Sequence, residues 1–242
     1  MTNDKKIALV TGANKGIGLE IARQLGQNHI LVLAGSRDPQ RGQKAVNTLC
    51  GEAIDARLIV LDVTDQKTID AAAARVEQEF GKLDILVNNA GIFLEKVPAS
   101  QCQVENLRRT FETNFFGAFA VTKAFLPLLK KSPAGRIVNL ASDLASLANT
   151  SDPNWALYPH VFFSYSSSKV AINALTVGLA NELRGTKIKV NSADPGFTAT
   201  DINNFTGPKP PQEAARVPVR LAMLPADGPS GGYFDENGPV PW

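Results

Sequence analysis

Tyr165 and Lys169 stand four residues apart within FFSYSSSKVAINALTVGLANEL, so a helix over this run projects a phenol and an ammonium from one face. A phenol with an ordinary pKa of ~10 is a poor acid or base at neutral pH. A close ammonium stabilises the phenolate and lowers that value. At ~1.4 kcal/mol per unit, a shift of about two or three units is within reach of a partly dry site. The same spacing also occurs in exposed pairs on amphipathic helices, so the pair acquires chemical meaning only in company. Ser142, at the end of the apolar run GRIVNLAS, is that company. Its hydroxyl can hydrogen-bond a carbonyl oxygen while the phenol hands that oxygen a proton.

The elements that must position these groups begin at the N-terminus. IALVTGANKGIGLEIARQL, residues 7–25, reads as a strand, a glycine turn and a helix start, with Ile17, Ile21 and Leu25 recurring at helical spacing. A side chain at Gly12, Gly16 or Gly18 would block the turn, the backbone's approach to a diphosphate, or the packing of helix on strand. The helix start aims unpaired N–H groups and a positive dipole end forward, which suits a pyrophosphate. An ordinary tight turn between strand and helix is the alternative. The spacing T-G-x(3)-G-x-G from Thr11 to Gly18 and the strand-to-helix context weigh against it.

Residues 30–34 form a continuous apolar run, as in a parallel strand covered on both faces. The next residue is Gly35, where a ribose-binding acid would select NAD; Arg37 and Lys15 are instead spaced to accept a 2′-phosphate, which selects NADP. Asp38, beside Pro39, reads as a turn residue, and either cation alone reads equally as a solvated surface charge. A helix over 40–49 and a strand over 57–61 lead to Asp62 and Val63. Thr64 or Asp65 then caps a helix carrying Ile69, Ala73, Val76 and Phe80 that stops at Gly81. LDILVNNAGI, residues 83–92, ends a buried strand in two amides, Asn88 and Asn89, followed by Ala90 and Gly91; such amides must find specific hydrogen bonds. A long helix over 100–130 carries one interruption of its apolar series, Asn114.

TGANKGIG, NNAG, FETNFFG with Asn114, Ser142 and YSSSK, in this order, resemble the short-chain dehydrogenase/reductase family along the whole chain. The resemblance implies one doubly wound (Rossmann) α/β domain over 1–242, with a parallel sheet of about seven strands. It implies a catalytic set of Asn114, Ser142, Tyr165 and Lys169, with Asn114 holding a water in a proton relay and Lys169 also holding the nicotinamide ribose. It carries cofactor binding to Gly12, Asn14, Lys15, Gly16, Ile17, Gly18 and Arg37. Asp62 and Val63 follow at the adenine, and Asn89, Ala90 and Gly91 at the ribose, with Asn88 bracing the sheet. DPGFTATDI resembles the family segment in which Pro195, Gly196, Phe197 and Thr198 border the nicotinamide, the last two meeting its amide.

RDPQRGQKAV and the C-terminal run from Pro218 look like the carbonyl reductase branch, which implies NADPH and a small ketone or aldehyde substrate. NADP-dependent alcohol oxidation by the same residues, and a non-catalytic NADP-sensing protein, are the alternatives. Ser142 and Tyr165 enclose an insertion over about 143–164. Its Trp155, Tyr158 and His160 either wall the substrate pocket, cover a dimerisation face or form a plain surface loop. A loop over about 200–215 is expected to cover substrate. Homo-oligomer and monomer both remain open.

Composition bounds the rest. Lys plus Arg number 25 against 23 Asp plus Glu, too balanced for a nucleic-acid or membrane surface. Cys50 and Cys102 fall on expected helices without metal-ligand spacing, so no metal is expected and both read as thiols of a reducing compartment. MTNDKKIALV lacks a signal-peptide apolar core, and the expected location is cytoplasmic.

Overall fold

The structure is a computed structural model that describes residues 5–157 and 162–242. Tyr158 and His160 lie outside the described residues. Seven strands pair in parallel in the order β3-β2-β1-β4-β5-β6-β7. They are β1 (Ile7–Val10), β2 (Leu31–Ser36), β3 (Ala56–Val60), β4 (Ile85–Asn88), β5 (Arg136–Leu140), β6 (Lys189–Ala193) and β7 (Tyr233–Phe234). The order reverses between β1 and β4, and open α/β sheets bind ligands at the carboxyl ends of strands at such a switch point.

The strands alternate in period two between two apolar layers, which explains their continuous apolar sequence. Ala8, Val10, Ile85 and Val87 pack with Ile21 and Leu25 of α1 (Gly16–Gln27), Val46 and Leu49 of α2 (Pro39–Gly51), and Val217 and Leu221 of α9 (Arg216–Ala222). Ile7, Leu9 and Leu86 face the other way. They meet Ile69 and Val76 of α3 (Gln66–Phe80), Val121 and Phe125 of α5 (Ala118–Lys130), and Leu179 of α7 (Phe163–Glu182). Local signals set the helix ends. Asp38 accepts hydrogen bonds from the Gln40 and Arg41 N–H groups, both at 3.0 Å, and Pro39 opens α2. Asp65 caps α3 through the Lys67 N–H, and Gly81 ends it at φ +71°.

Three expectations change. β2 runs to Ser36 with Gly35 inside it, so the residue after the strand is Arg37. The helix expected over 100–130 is a 3-10 turn Ala99–Gln101, α4 (Val104–Phe111), a π-helical turn Glu112–Gly117 and α5. Two tertiary contacts meet at this turn: a Cβ on Gly117 would come within 2.7 Å of the Val63 Cγ2, and Asn114 is hydrogen-bonded to the main chain of Ile92. Widened turns of this kind occur often at functional sites. Cys102 follows the 3-10 turn and is not helical, whereas Cys50 is within α2. The first part of the insertion folds locally, with Ser142 capping a 3-10 turn Asp143–Ala145 and Ser146 capping the single turn α6 (Leu147–Thr150). After β6 come a 3-10 turn Asp201–Asn203 and the short α8 (Pro211–Ala214).

A buried polar chain ties the sheet to α7 behind the site. The Asn88 Nδ2 donates at 2.8 Å to Thr122 and to Asn139 of β5. Asn139 in turn donates to Thr176 of α7, whose hydroxyl meets Ser192 of β6 at 2.8 Å. Asn88 therefore braces the sheet, as the strand-end amides suggest.

Candidate active site

A cleft of about 460 Å³ opens at the carboxyl ends of β1 and β4. At its floor the first helix begins without a side-chain cap and without an acid in its first turn, leaving forward N–H groups for a ligand. The turn is built for close approach. Gly12 and Gly16 sit at φ +66° and +54°, and a Cβ on Gly18 would come within 2.4 Å of the Asn89 Nδ2 and the Gly12 carbonyl. These contacts reserve the floor for backbone, as a pyrophosphate requires. Asn89 donates to the Thr11 carbonyl at 2.8 Å, while the Thr11 hydroxyl accepts from the Asn89 and Ala90 N–H groups, each at 3.0 Å. Thr11 thus locks the glycine turn to the end of β4, a role its place in the motif signals.

Gly12, Asn14, Lys15, Gly16, Ile17, Gly18, Arg37, Asp62, Val63, Asn89, Ala90, Gly91, Tyr165, Lys169 and Pro195 all line this cleft. Ser36, Arg41, Ile92, Phe93 and Asp201 join them without having been anticipated. Arg41, one turn beyond Arg37, adds a third cation beside Lys15 and is steered by Asp38 at 3.3 Å. The i,i+4 arginines of RDPQR were the available signal. Lys15 bridges the cleft to Asp201 at 3.2 Å, both groups about half exposed. The Asp62 Oδ1 accepts from the Thr64 N–H and hydroxyl, so part of its capacity goes to its own turn.

Gly196, Phe197 and Thr198 do not line the cleft. Phe197 is 52% exposed, and the buried Thr198 hydroxyl donates to the Gly196 carbonyl at 2.9 Å. The reason is packing: Thr198 forms a β-bridge with Lys209, whose ammonium lies against Gly196.

The chemistry-bearing groups gather at the inner end. Lys169 is 5% exposed and donates to the Leu140 carbonyl at 2.7 Å, and burial brings its ammonium down to about 8. Its Nζ lies 5.7 Å from the Tyr165 ring centroid. The Tyr165 hydroxyl neighbours Ser142, and its ring packs edge-on to Phe93 at 5.2 Å, which stacks obliquely on Phe162 at 5.4 Å. Asn114 grips the main chain of Ile92 from both sides, accepting from its N–H at 2.8 Å and donating to its carbonyl at 3.0 Å. It also donates to Ser168.

The phenol is not lowered here. Burial and the charges of Asp143 and Asp194 push Tyr165 well above the ordinary phenol range, and the neighbouring Ser142 hydroxyl opposes them. The Tyr–Lys spacing alone carries no sign of either carboxyl.

A glycine-floored cleft at the switch point, ending on a half-buried tyrosine, a buried lysine and a neighbouring serine, fits an oxidoreductase acting on CH–OH or C=O groups. A family model for short chain dehydrogenase matches residues 6–210, and the chain belongs to that family. (-)-Isopiperitenone reductase of Mentha piperita is 34% identical, with 98% of each chain covered. Carbonyl reductase (NADPH) 1 of Mus musculus is 34% identical, with 100% of each covered. The solved structure of NADPH-bound carbonyl reductase from chicken fatty liver has a TM-score of 0.85 at 26% identity, covering 98% of this chain and 99% of that one. The protein is thus a family member resembling the carbonyl reductase branch, and family membership carries a nicotinamide cofactor. Among the described residues, no helix is long and apolar enough to cross a membrane.

Proposed function

We propose that the protein is an NADPH-dependent carbonyl reductase that converts a small ketone or aldehyde to an alcohol. The observation that carries this reading is the gathering of Tyr165, Ser142 and the buried Lys169 at the end of a cleft whose floor admits only backbone. The N–H groups at the start of α1 hold the pyrophosphate, and Arg37, Arg41 and Lys15 hold the 2′-phosphate. Asp62 and Val63 border the adenine. The Nδ2 of Asn89 is committed to the glycine turn, which leaves its Oδ1 for a ribose hydroxyl. When bound, the reduced nicotinamide supplies the hydride.

Ser142 and Tyr165 receive the carbonyl oxygen, and Tyr165 passes its proton to that oxygen as the carbon is reduced. Lys169 uses one N–H on Leu140 and turns the others towards the ribose and the proton path. Asn114 fixes the loop through Ile92 and borders the route by which the phenol regains a proton. Phe93 and Phe162 keep water from the phenol's face and give the substrate an apolar surface. The relatives named carbonyl reductase (NADPH) 1 support the same choice of cofactor and direction.

The test is direct. NADPH absorbance should decay when members of a panel of ketones, aldehydes and diketones are added to the purified protein. A flat trace across the panel, with NADPH demonstrably bound, would overturn the reading.

A further inference from the structure

The main chain that carries Ser142 is held from outside the cleft by a segment distant in sequence. Ala141, just before it, is pinned to the sheet, its N–H donating to the Ala193 carbonyl at 2.8 Å. The Ser142 carbonyl takes two donors: the Ala145 N–H at 2.8 Å, which closes the 3-10 turn, and the Tyr233 hydroxyl reaching in from β7. A carbonyl oxygen has two lone pairs, so both are engaged. Tyr233 is 2% exposed, packs with Ala118, Ala141, Ala145 and Ile172, and does not line the cleft. The chain beyond it doubles back. The Val240 N–H donates to the Tyr233 carbonyl at 2.8 Å, the Trp242 ring stacks on the phenol at 5.7 Å, and the Trp242 carbonyl accepts from the Ala148 N–H of α6 at 2.9 Å. Residues 233–242 thus form a strap from β7 to the inserted segment, with one hydroxyl on the main chain of Ser142.

We infer that Tyr233 is a positioning residue for the reduction, fixing the Ser142 main chain so that the serine hydroxyl turns about a stationary Cα. The inference rests on the reductase reading of the same site. In the structure the Ser142 hydroxyl donates to the Asp143 Oδ1 at 3.0 Å. To serve a substrate oxygen it must leave that partner, by rotation about one side-chain bond. The hydroxyl then arrives where the main chain puts it, and a misplacement of about 1 Å can lower a rate by ~10²-fold. Ser142 stands beyond Leu140, the last residue of β5, so no ladder bond of that strand holds its carbonyl; Tyr233 and Ala145 do.

The local sequence explains how the strap is built. In GGYFDENGPVPW, Asp235 accepts from the Asn237 and Gly238 N–H groups at 2.7 and 2.9 Å, and Gly238 sits at φ +136°, which lets the chain reverse and bridge Phe234 to Pro239. The reversal brings Val240 and Trp242 back over Tyr233. A phenylalanine at 233 would fill the same apolar cluster and stack on the same indole. What the tyrosine adds is the donor, and its one recorded acceptor is the Ser142 carbonyl.

The experiment is a double-mutant cycle of Tyr233→Phe, Ser142→Ala and the two together, read by single-turnover reduction of a ketone. Amide hydrogen exchange is followed beside it by NMR in the NADPH complexes of the wild type and Tyr233→Phe. The phenylalanine keeps the ring, so NADPH affinity should stay within about twofold. The rate should fall about tenfold in Tyr233→Phe, the upper range for one neutral hydrogen bond. In the Ser142→Ala background the same change should alter the rate by less than about twofold, because no hydroxyl is left to place. Exchange at Ala145, which shares the carbonyl with Tyr233, should speed by about tenfold in Tyr233→Phe while Ala141 keeps its wild-type rate. Equal fold-losses in both backgrounds, which a merely structural role would give, or unchanged exchange at Ala145, would overturn the inference and leave the reductase reading standing. A wild type inert towards every ketone would overturn the reductase reading and the positioning role with it, so the two failures are distinguishable.

Discussion

Replacing Tyr165 by Phe is expected to lower kcat for carbonyl reduction by about 10³-fold, within the ~10²–10⁴ range of a well-placed general acid. The substitution removes one oxygen and keeps the ring that packs on Phe93. NADPH affinity should therefore change by no more than about fivefold, the worth of one neutral hydrogen bond. Stopped-flow reduction and fluorescence titration of NADPH measure the two effects separately. Near-normal turnover in the Phe variant would contradict the assignment of the acid. Parallel losses of turnover and NADPH binding would point to a damaged cleft instead.

The second large effect is expected at the cofactor's ribose corner. Arg37 follows β2 at the cleft rim, with Arg41 one helical turn further and Lys15 opposite. Arg37→Ala should raise the Kd for NADPH by about 10- to 100-fold, since a charge-assisted hydrogen bond contributes ~1.5–3 kcal/mol. The Kd for NADH, which has no 2′-phosphate, should stay within about twofold. Arg41→Ala should act in the same direction but more weakly, because Asp38 already holds that guanidinium at 3.3 Å. Equal loss for both nucleotides on replacing Arg37 would rule out its contact with the 2′-phosphate.

These expectations divide by how far each signal travels along the chain. The glycine turn, the strand-end amides and the four-residue Tyr–Lys step are local patterns, and so the switch-point cleft and the part of its lining that these patterns supply are legible in the sequence. Apolar runs of four to six residues announced parallel strands for the same reason. The π-helical turn at Asn114 was not legible, because it depends on Gly117 meeting Val63 and on Asn114 meeting Ile92, both distant in sequence. The rise of the Tyr165 phenol was hidden likewise. It rests first on burial and then on the charges of Asp143 and Asp194, which follow β5 and β6, strands adjacent only in the folded sheet. The departure of Phe197 and Thr198 from the cleft wall has the same origin, since Lys209 occupies the space against Gly196. Short-range pattern reveals which residues carry chemistry; long-range packing decides their protonation and direction.

Hydride delivery to a carbonyl carbon beside Tyr165 is tested most directly by isotope transfer. NADPH carrying deuterium on either face of nicotinamide C4 is incubated with a reducible ketone, and the alcohol is analysed by mass spectrometry and NMR. Deuterium from one face alone should appear at the carbinol carbon in the wild type, with no label transferred by Tyr165→Phe on the same timescale. Alcohol formed without label from either face, or label passing at undiminished rate in the Phe protein, would contradict a reductase built on this tyrosine.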